Sequence, residues 1–128
     1  MDTNAYSNFK RGHQPVVELI ESADWIGLPS IVFGELCVGF EQGNRRERNL
    51  AELEEFLAAP VVEFLPVGKQ EANIFGSIVT LLKKQGTPIP TNDIWIAAIC
   101  ASAGATLITY DDHFRSVSRI GALVIGLR

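Results

Sequence analysis

Pro88-Ile89-Pro90-Thr91-Asn92-Asp93-Ile94-Trp95-Ile96-Ala97-Ala98-Ile99-Cys100-Ala101-Ser102-Ala103-Gly104 is the stretch from which the fold can be read. The prolines hold the approach extended, Thr91 or Asn92 offers a side-chain oxygen to cap a first turn, and Gly104 offers a left-handed stop. The spacing predicts a helix that begins within a residue or two of Asp93. Between these signals the residues are apolar on almost every side, the pattern of a helix covered by a sheet on one face and by other helices elsewhere. Asp93 therefore stands at the edge of a core. Taken alone it needs no function, because an acid near the positive end of a helix dipole gains about 0.3 to 1 kcal/mol. The next segment, Ala105-Thr106-Leu107-Ile108-Thr109-Tyr110-Asp111-Asp112-His113-Phe114, reads as a short β-branched strand ending in acids. A helix followed at once by such a strand can bring Asp93 and Asp111 to one edge of an α/β sheet, where open sheets place their sites.

Upstream, residues 1–12 carry cap-forming residues, helix-compatible ones and a closing glycine, a short first helix. Pro15 opens a second over 16–22, with Val16, Leu19 and Ile20 on one side and Glu18 and Glu21 on another. Residues 25–28 read as a short buried strand. Pro29 and Ser30 mark the start of a helix over about 31–42, with Ser30 as its cap. Glu35 lies inside that helix among uncharged neighbours, either on a polar stripe with Glu41 or aimed into a shared site. Residues 44–59 form the most polar segment, an amphipathic helix whose first turn holds Arg45, Arg46 and Arg48. This densest positive patch lies at a helix end that prefers acids. It is either a solvated face or a phosphate contact, for which arginine's planar fork is suited.

A strand over 61–67, a helix over 69–85 stopped by Gly86, the Asp93 helix and a strand over 106–110 follow. A helical turn near 114–117 and a last strand over 122–125 complete the alternation. It predicts an α/β fold with three layers, α/β/α, around a mostly parallel central sheet of four to five strands.

A chain of 128 residues, 47% hydrophobic, has apolar material for one core, so residues 1–128 are read as a single domain. The net charge of −4 argues against holding nucleic acid by bulk positive potential, and any such contact must be local or helped by metal ions. Cys37 and Cys100 both sit in apolar helical patterns and read as buried free thiols. No charged-then-apolar leader opens the chain, and no run approaches the roughly 18 apolar residues that span a bilayer, so a soluble cytoplasmic protein without membrane contact is expected.

Four acids then stand out: Asp2 at the start, Glu35 in an early helix, Asp93 at a helix N-terminus and Asp111 after a strand. Their order and contexts resemble the PIN-domain family. Asp2-Thr3-Asn4 with Ser7 is similar to the family's opening motif, and Gly34-Glu35-Leu36 to its glutamate helix. Asn92-Asp93-Ile94-Trp95-Ile96-Ala97-Ala98 with the strand after Gly104 is similar to its third motif, and Thr109-Tyr110-Asp111-Asp112-His113-Phe114 to its last. The resemblance runs through the whole chain, and at this length it looks like the toxin ribonucleases of VapBC toxin–antitoxin pairs. One departure stands out. The family's first acid ends an apolar strand at the middle of the sheet, whereas here only Met1 precedes Asp2, so that strand is expected to be truncated and its beginning to lie upstream.

Four carboxylates drawn into one cleft repel one another by about 4 kcal/mol per pair at 4 Å and an effective dielectric near 20. A divalent cation resolves the conflict, and oxygen-only ligands suit Mg²⁺ or Mn²⁺, whose retained waters are the expected source of a nucleophile. The resemblance thus implies hydrolysis of RNA phosphodiesters. Asp2 and Asp93 are the expected principal ligands, and Glu35 and Asp111 further ligands or holders of water. Asn4, Thr109 and Asp112 are outer candidates, and His113 reads as a surface or capping residue. Arg45, Arg46 and Arg48, with Lys10 or Arg11, are candidates for the RNA-binding rim. The resemblance also implies a homodimer and a VapB-like antitoxin that covers the cleft, with DNA contacted only through the antitoxin. Phe9, Phe33, Phe40, Phe56 and Phe75 are more apolar bulk than one small core obviously requires, which suits an interface. Two other readings stand beside this one: a non-catalytic PIN-like module that binds RNA or protein, and a phosphoacceptor or phosphatase built on Asp111-Asp112.

Overall fold

The computed structural model describes residues 1–126. Six helices alternate with four strands: α1 (Thr3–Lys10), α2 (Gln14–Ser22), β1 (Ile26–Pro29), α3 (Ser30–Gln42), α4 (Arg46–Ala58), β2 (Val62–Leu65), α5 (Lys69–Gln85), α6 (Thr91–Ala103), β3 (Thr106–Thr109) and β4 (Gly121–Val124). A 3-10 turn, Asp112–Ser116, joins the last two strands. All strand pairing is parallel, as the alternation predicts. β1 pairs with β2 from Ile26 opposite Val62 to Pro29 opposite Leu65, and β3 pairs with β4 from Thr106 opposite Gly121 to Thr109 opposite Val124.

The strands stand as two pairs, not as one continuous sheet of four or five. Among the described residues, Met1 and Asp2 bridge them through backbone hydrogen bonds. The Met1 amino group donates to the Gly27 carbonyl of β1 at 3.1 Å, and the Asp2 amide donates to the Ile108 carbonyl of β3 at 3.1 Å. Beyond Met1 the facing edges of β1 and β3 enclose a slot of about 350 Å³, lined by Ile26, Gly27, Cys100, Leu107 and Ile108 among others. Met1 and Asp2 thus stand where the end of the first strand is expected.

Helix α6 behaves as its sequence predicts. Ile94, Ile96, Ala97, Ala98, Ile99 and Cys100 are buried, and it packs on β1 and β3 with α5 alongside. Gly104 closes it in the left-handed region at φ +64, where a Cβ would be strained. The expected caps differ: Pro90 and Pro29 occupy the N-cap positions, Thr91 and Ser30 are the first helical residues, and neither helix has a side-chain cap bond. The prolines already hold the extended backbone a cap position requires, so each helix begins one residue early and the hydroxyls fall inside the first turn.

Strand β1 starts at Ile26, one residue later than expected, and the Trp25 ring lies over Gly27, where a Cβ would meet it at 2.7 Å and Leu65 Cδ1 at 2.5 Å. Both cysteines are free, Cys100 buried with its thiol on the Ala105 carbonyl and Cys37 only half-buried. The phenylalanines expected to be surplus are largely absorbed. Phe9 and Phe56 cluster with Tyr6, and Phe75 stacks on Trp95 at 3.8 Å. The exposed large apolar side chains are instead Trp25, Val38, Val61, Phe64, Val67 and Leu123. Among the described residues no helix is long and apolar enough to cross a membrane.

The slot generates a stability prediction. Burial holds the Met1 ammonium below its ordinary pKa of 8.0, so its charge is penalised beside the apolar slot. Three β-branched residues added ahead of Met1 replace that ammonium with a peptide N–H and fill the slot. They should raise the Tm by about 5 °C or more, given about 1.5 to 3 kcal/mol per buried aliphatic side chain and about 2 to 8 °C per kcal/mol in small domains. Thermal unfolding followed by circular dichroism checks it, and three serines added in the same place should give no such gain.

Candidate active site

Asp2 is 5% exposed, and every polar atom of it is engaged. One carboxylate oxygen caps α1 by accepting from the Ala5 amide at 2.9 Å, and the other accepts from the Thr109 hydroxyl. Thr109 is fully buried at the end of β3, and its hydroxyl oxygen accepts in turn from the Asp111 amide at 2.9 Å. The strand end thereby fixes two acids at once.

Glu35 reaches the same region from the middle of α3. Its Oε1 accepts from the Thr3 hydroxyl at 2.6 Å, and its Oε2 lies 3.4 Å from the Asn92 side-chain amide. Asp93 follows Asn92 in the first turn of α6 and turns its Oδ2 to His113 Nε2 at 2.7 Å. The other ring nitrogen, Nδ1, faces Asp111 Oδ1 at 2.6 Å. His113 therefore bridges two of the four acids, and only the doubly protonated ring donates to both.

Burial pushes the carboxyl pKa of both Asp2 and Asp93 above the ordinary 3.8. For Asp2, bonds from Thr109 and Ala5 and the nearby N-terminus oppose the rise, while Asp93 adds to it. For Asp93, the bond and charge of His113 oppose it, while Glu35 and Asp111 add to it. The acids expected from the sequence are thus close enough to repel.

Several expected residues lie elsewhere. Asn4 is exposed and makes no bond to these acids among the described residues. Asp112 turns outward to pair with Arg115, so Asp111-Asp112 is not a joint site and the phosphoacceptor reading loses its pair. Arg45, Arg46 and Arg48 stand at the start of α4, where Arg46 pairs with Glu41 at 2.5 Å and Arg48 with Glu52 at 3.3 Å. His113 is a correction: it is a half-buried bridge, not a surface cap, because the 3-10 turn folds it back over Asp111. Thr3 and Asn92 were also missed as site residues, although each is adjacent in sequence to an acid of the set.

The donor chemistry fits a divalent cation. Ligand atoms of Asp93, Asp111 and His113 lie within 4.8 Å of one another, and burial with mutual repulsion leaves the carboxylates short of positive charge. Carboxylate oxygens suit Mg²⁺ or Mn²⁺.

The sequence matches the family described as PIN domain over residues 1–120. It is 33% identical to Ribonuclease VapC2 of Haemophilus influenzae over 126 residues, 96% of this chain and 92% of that one. The fold is similar to that in the VapBC-1 structure from nontypeable Haemophilus influenzae, with TM-score 0.83, 26% identity, and 96% and 94% of the two chains covered. It is also similar to VapBC2 from Rickettsia felis bound to a DNA fragment from its promoter, with TM-score 0.81, 25% identity, and 95% and 94% covered.

The raised carboxyl pKa values set a pH dependence. Above pH 3.8 the unfolded chain has released protons that the folded chain still holds at Asp2 and Asp93, so this contribution to stability is lost as pH rises. Asp2→Asn removes one of these charges while keeping a residue that caps helices well. In the presence of a chelator, its urea midpoint should gain on wild type as pH rises above 3.8, until the folded wild-type carboxyl has also ionised. Equal slopes for the two proteins would show that the buried charge at Asp2 carries no such cost.

Proposed function

The chain belongs to the PIN-domain family, in its VapC branch, and from that membership we propose that it is a metal-dependent endoribonuclease, the toxin of a VapBC-type toxin–antitoxin pair. The observation that carries this reading is that Asp2, Glu35, Asp93 and Asp111, drawn from four separate elements, are tied together by shared hydrogen-bond partners and by mutual repulsion centred on Asp93.

Asp2 and Asp93 would be the principal holders of Mg²⁺ or Mn²⁺, with Glu35 and Asp111 completing the set. Bound there, the ion would neutralise phosphate charge and activate water for in-line attack. The chain's own residues supply the order. Thr109 orients Asp2 and Asp111 through one hydroxyl, Thr3 and Asn92 orient Glu35, and His113 keeps Asp93 and Asp111 at a set spacing. Such outer contacts support ligand geometry and affinity. The absence of bulk positive charge on the chain suits a polyanion bound through the ion and local arginines.

A VapB-like antitoxin is the proposed partner, in the cytoplasm, with DNA contacted through it. The similar solved structures are VapBC complexes, one of them on DNA, which supports this reading. Exposed Trp25, Val61, Phe64 and Val67 near β2 offer apolar surface for a protein partner or a second copy of the chain.

Purified protein should cut cellular RNA with Mg²⁺ or Mn²⁺ and not with a chelator. Asp93→Asn should lower the rate more than about 100-fold, beyond the range typical of outer-contact changes, while its far-UV circular dichroism stays native. Metal-independent cutting, or an active Asp93→Asn protein, would overturn the assignment. No cutting together with no metal-induced rise in Tm would favour the non-catalytic binding module.

A further inference from the structure

Four of the eleven lysines and arginines, Lys10, Arg11, Arg45 and Arg48, line one groove of about 390 Å³ between α1, α3 and α4. Glu52 is the only carboxylate on its wall. It clamps Lys10 at 3.4 Å and Arg48 at 3.3 Å, and these cations, Lys10 first, hold its carboxyl below the ordinary 4.5. Arg46 takes no part, being turned to Glu41. Arg11 and Arg45 have no carboxylate partner among the described residues.

Along α1 and α3 the groove begins one turn or less from the residues that hold the acids. Thr3 and Glu35 join α1 to α3 at the cleft. One turn further along α1 lie Tyr6 and Ser7, and on α3 Leu36 and then the half-buried Phe40, all on the groove wall. Lys10 is seven residues beyond Thr3, about 10 Å along the helix at about 1.5 Å per residue. That is about three nucleotides at about 3.4 Å per stacked step.

We propose that this groove carries the backbone of single-stranded RNA away from the cleft, with Arg11 and Arg45 as its phosphate-binding residues about three nucleotides from the bond that is cut. The assignment rests on the nuclease reading and names the path of its substrate. Cations gathered at the start of α4 oppose the helix dipole, an arrangement that an incoming phosphate relieves. On a chain of net charge −4, a local channel of cations beside the acids decides the direction of a polyanion. Phe40 offers a ring face for a base, as stacking platforms do beside cationic grooves.

The test is binding of a short fluorescent single-stranded RNA, followed by anisotropy in chelator over a range of salt. The proteins are wild type, the Arg11→Ala/Arg45→Ala pair and a control, Lys83→Ala/Lys84→Ala, which removes equal charge at the far end of α5. Loss of two phosphate contacts should weaken binding about tenfold or more and make the slope of log affinity against log salt shallower by about 1.4, at about 0.7 per contact. The control should bind like wild type. Equal loss in the control, or wild-type affinity in the Arg11/Arg45 variant, overturns the proposal. RNA binding unchanged while binding of an acidic peptide is lost overturns it in favour of a polypeptide in the groove. Because no cleavage is read, a protein that binds RNA here but cuts none fails the nuclease reading and leaves the groove standing.

Discussion

The buried carboxylate of Asp2 is the constraint on which the rest of this structure depends. Its backbone joins the β3 side of the strands to Met1 on the β1 side, and its two oxygens hold the start of α1 and the end of β3. An ionised acid in such a place is costly unless fully bonded, and here the capping amide, the Thr109 hydroxyl and the N-terminal charge all lower that cost without cancelling it. The remaining deficit is electrostatic. It is shared with Asp93 across the cleft, and it is what makes the cleft receptive to a cation.

Much of this was legible in the sequence where a feature is local. Asp93 was marked by an apolar helix that opens with an acid, and Asp111 by its position after a β-branched strand; both ended where those signals put them. What escaped notice depends on contacts between distant residues. Asn92 reads as a cap until Glu35, 57 residues away, is seen to take its amide. His113 reads as a turn residue until the 3-10 geometry swings it between Asp93 and Asp111. The reverse also occurred. Arg46 was a candidate for RNA, yet Glu41, five residues before it, takes its guanidinium. The caps of α3 and α6 were misassigned because proline geometry decided where those helices begin.

Charge is partitioned more sharply than composition suggests. The acids that matter lie where α6 and β3 meet the start of α1, while the cations cluster at the opposite end of α1, beside α4. Helix α1 therefore spans a potential difference along its short length, with Asp2 at one end and Lys10 at the other. Carboxylates are thus gathered at one end of α1 and cations at the other, on a protein that is acidic overall.

The bond between Thr109 and Asp2 spans 107 residues, nearly the entire chain. During synthesis at about 5 to 20 residues per second, Asp2 waits about 5 to 20 s for the strand that holds it. Helices α1 to α4 and the first strand pair have all their residues well before then, at a stage when the two later elements that carry Asp93 and Asp111 are still unmade. A nascent chain carries only Asp2 and Glu35, too few ligands for an ion. The order of the acids along the chain thus delays the meeting of all four until the last of them, Asp111, has been made.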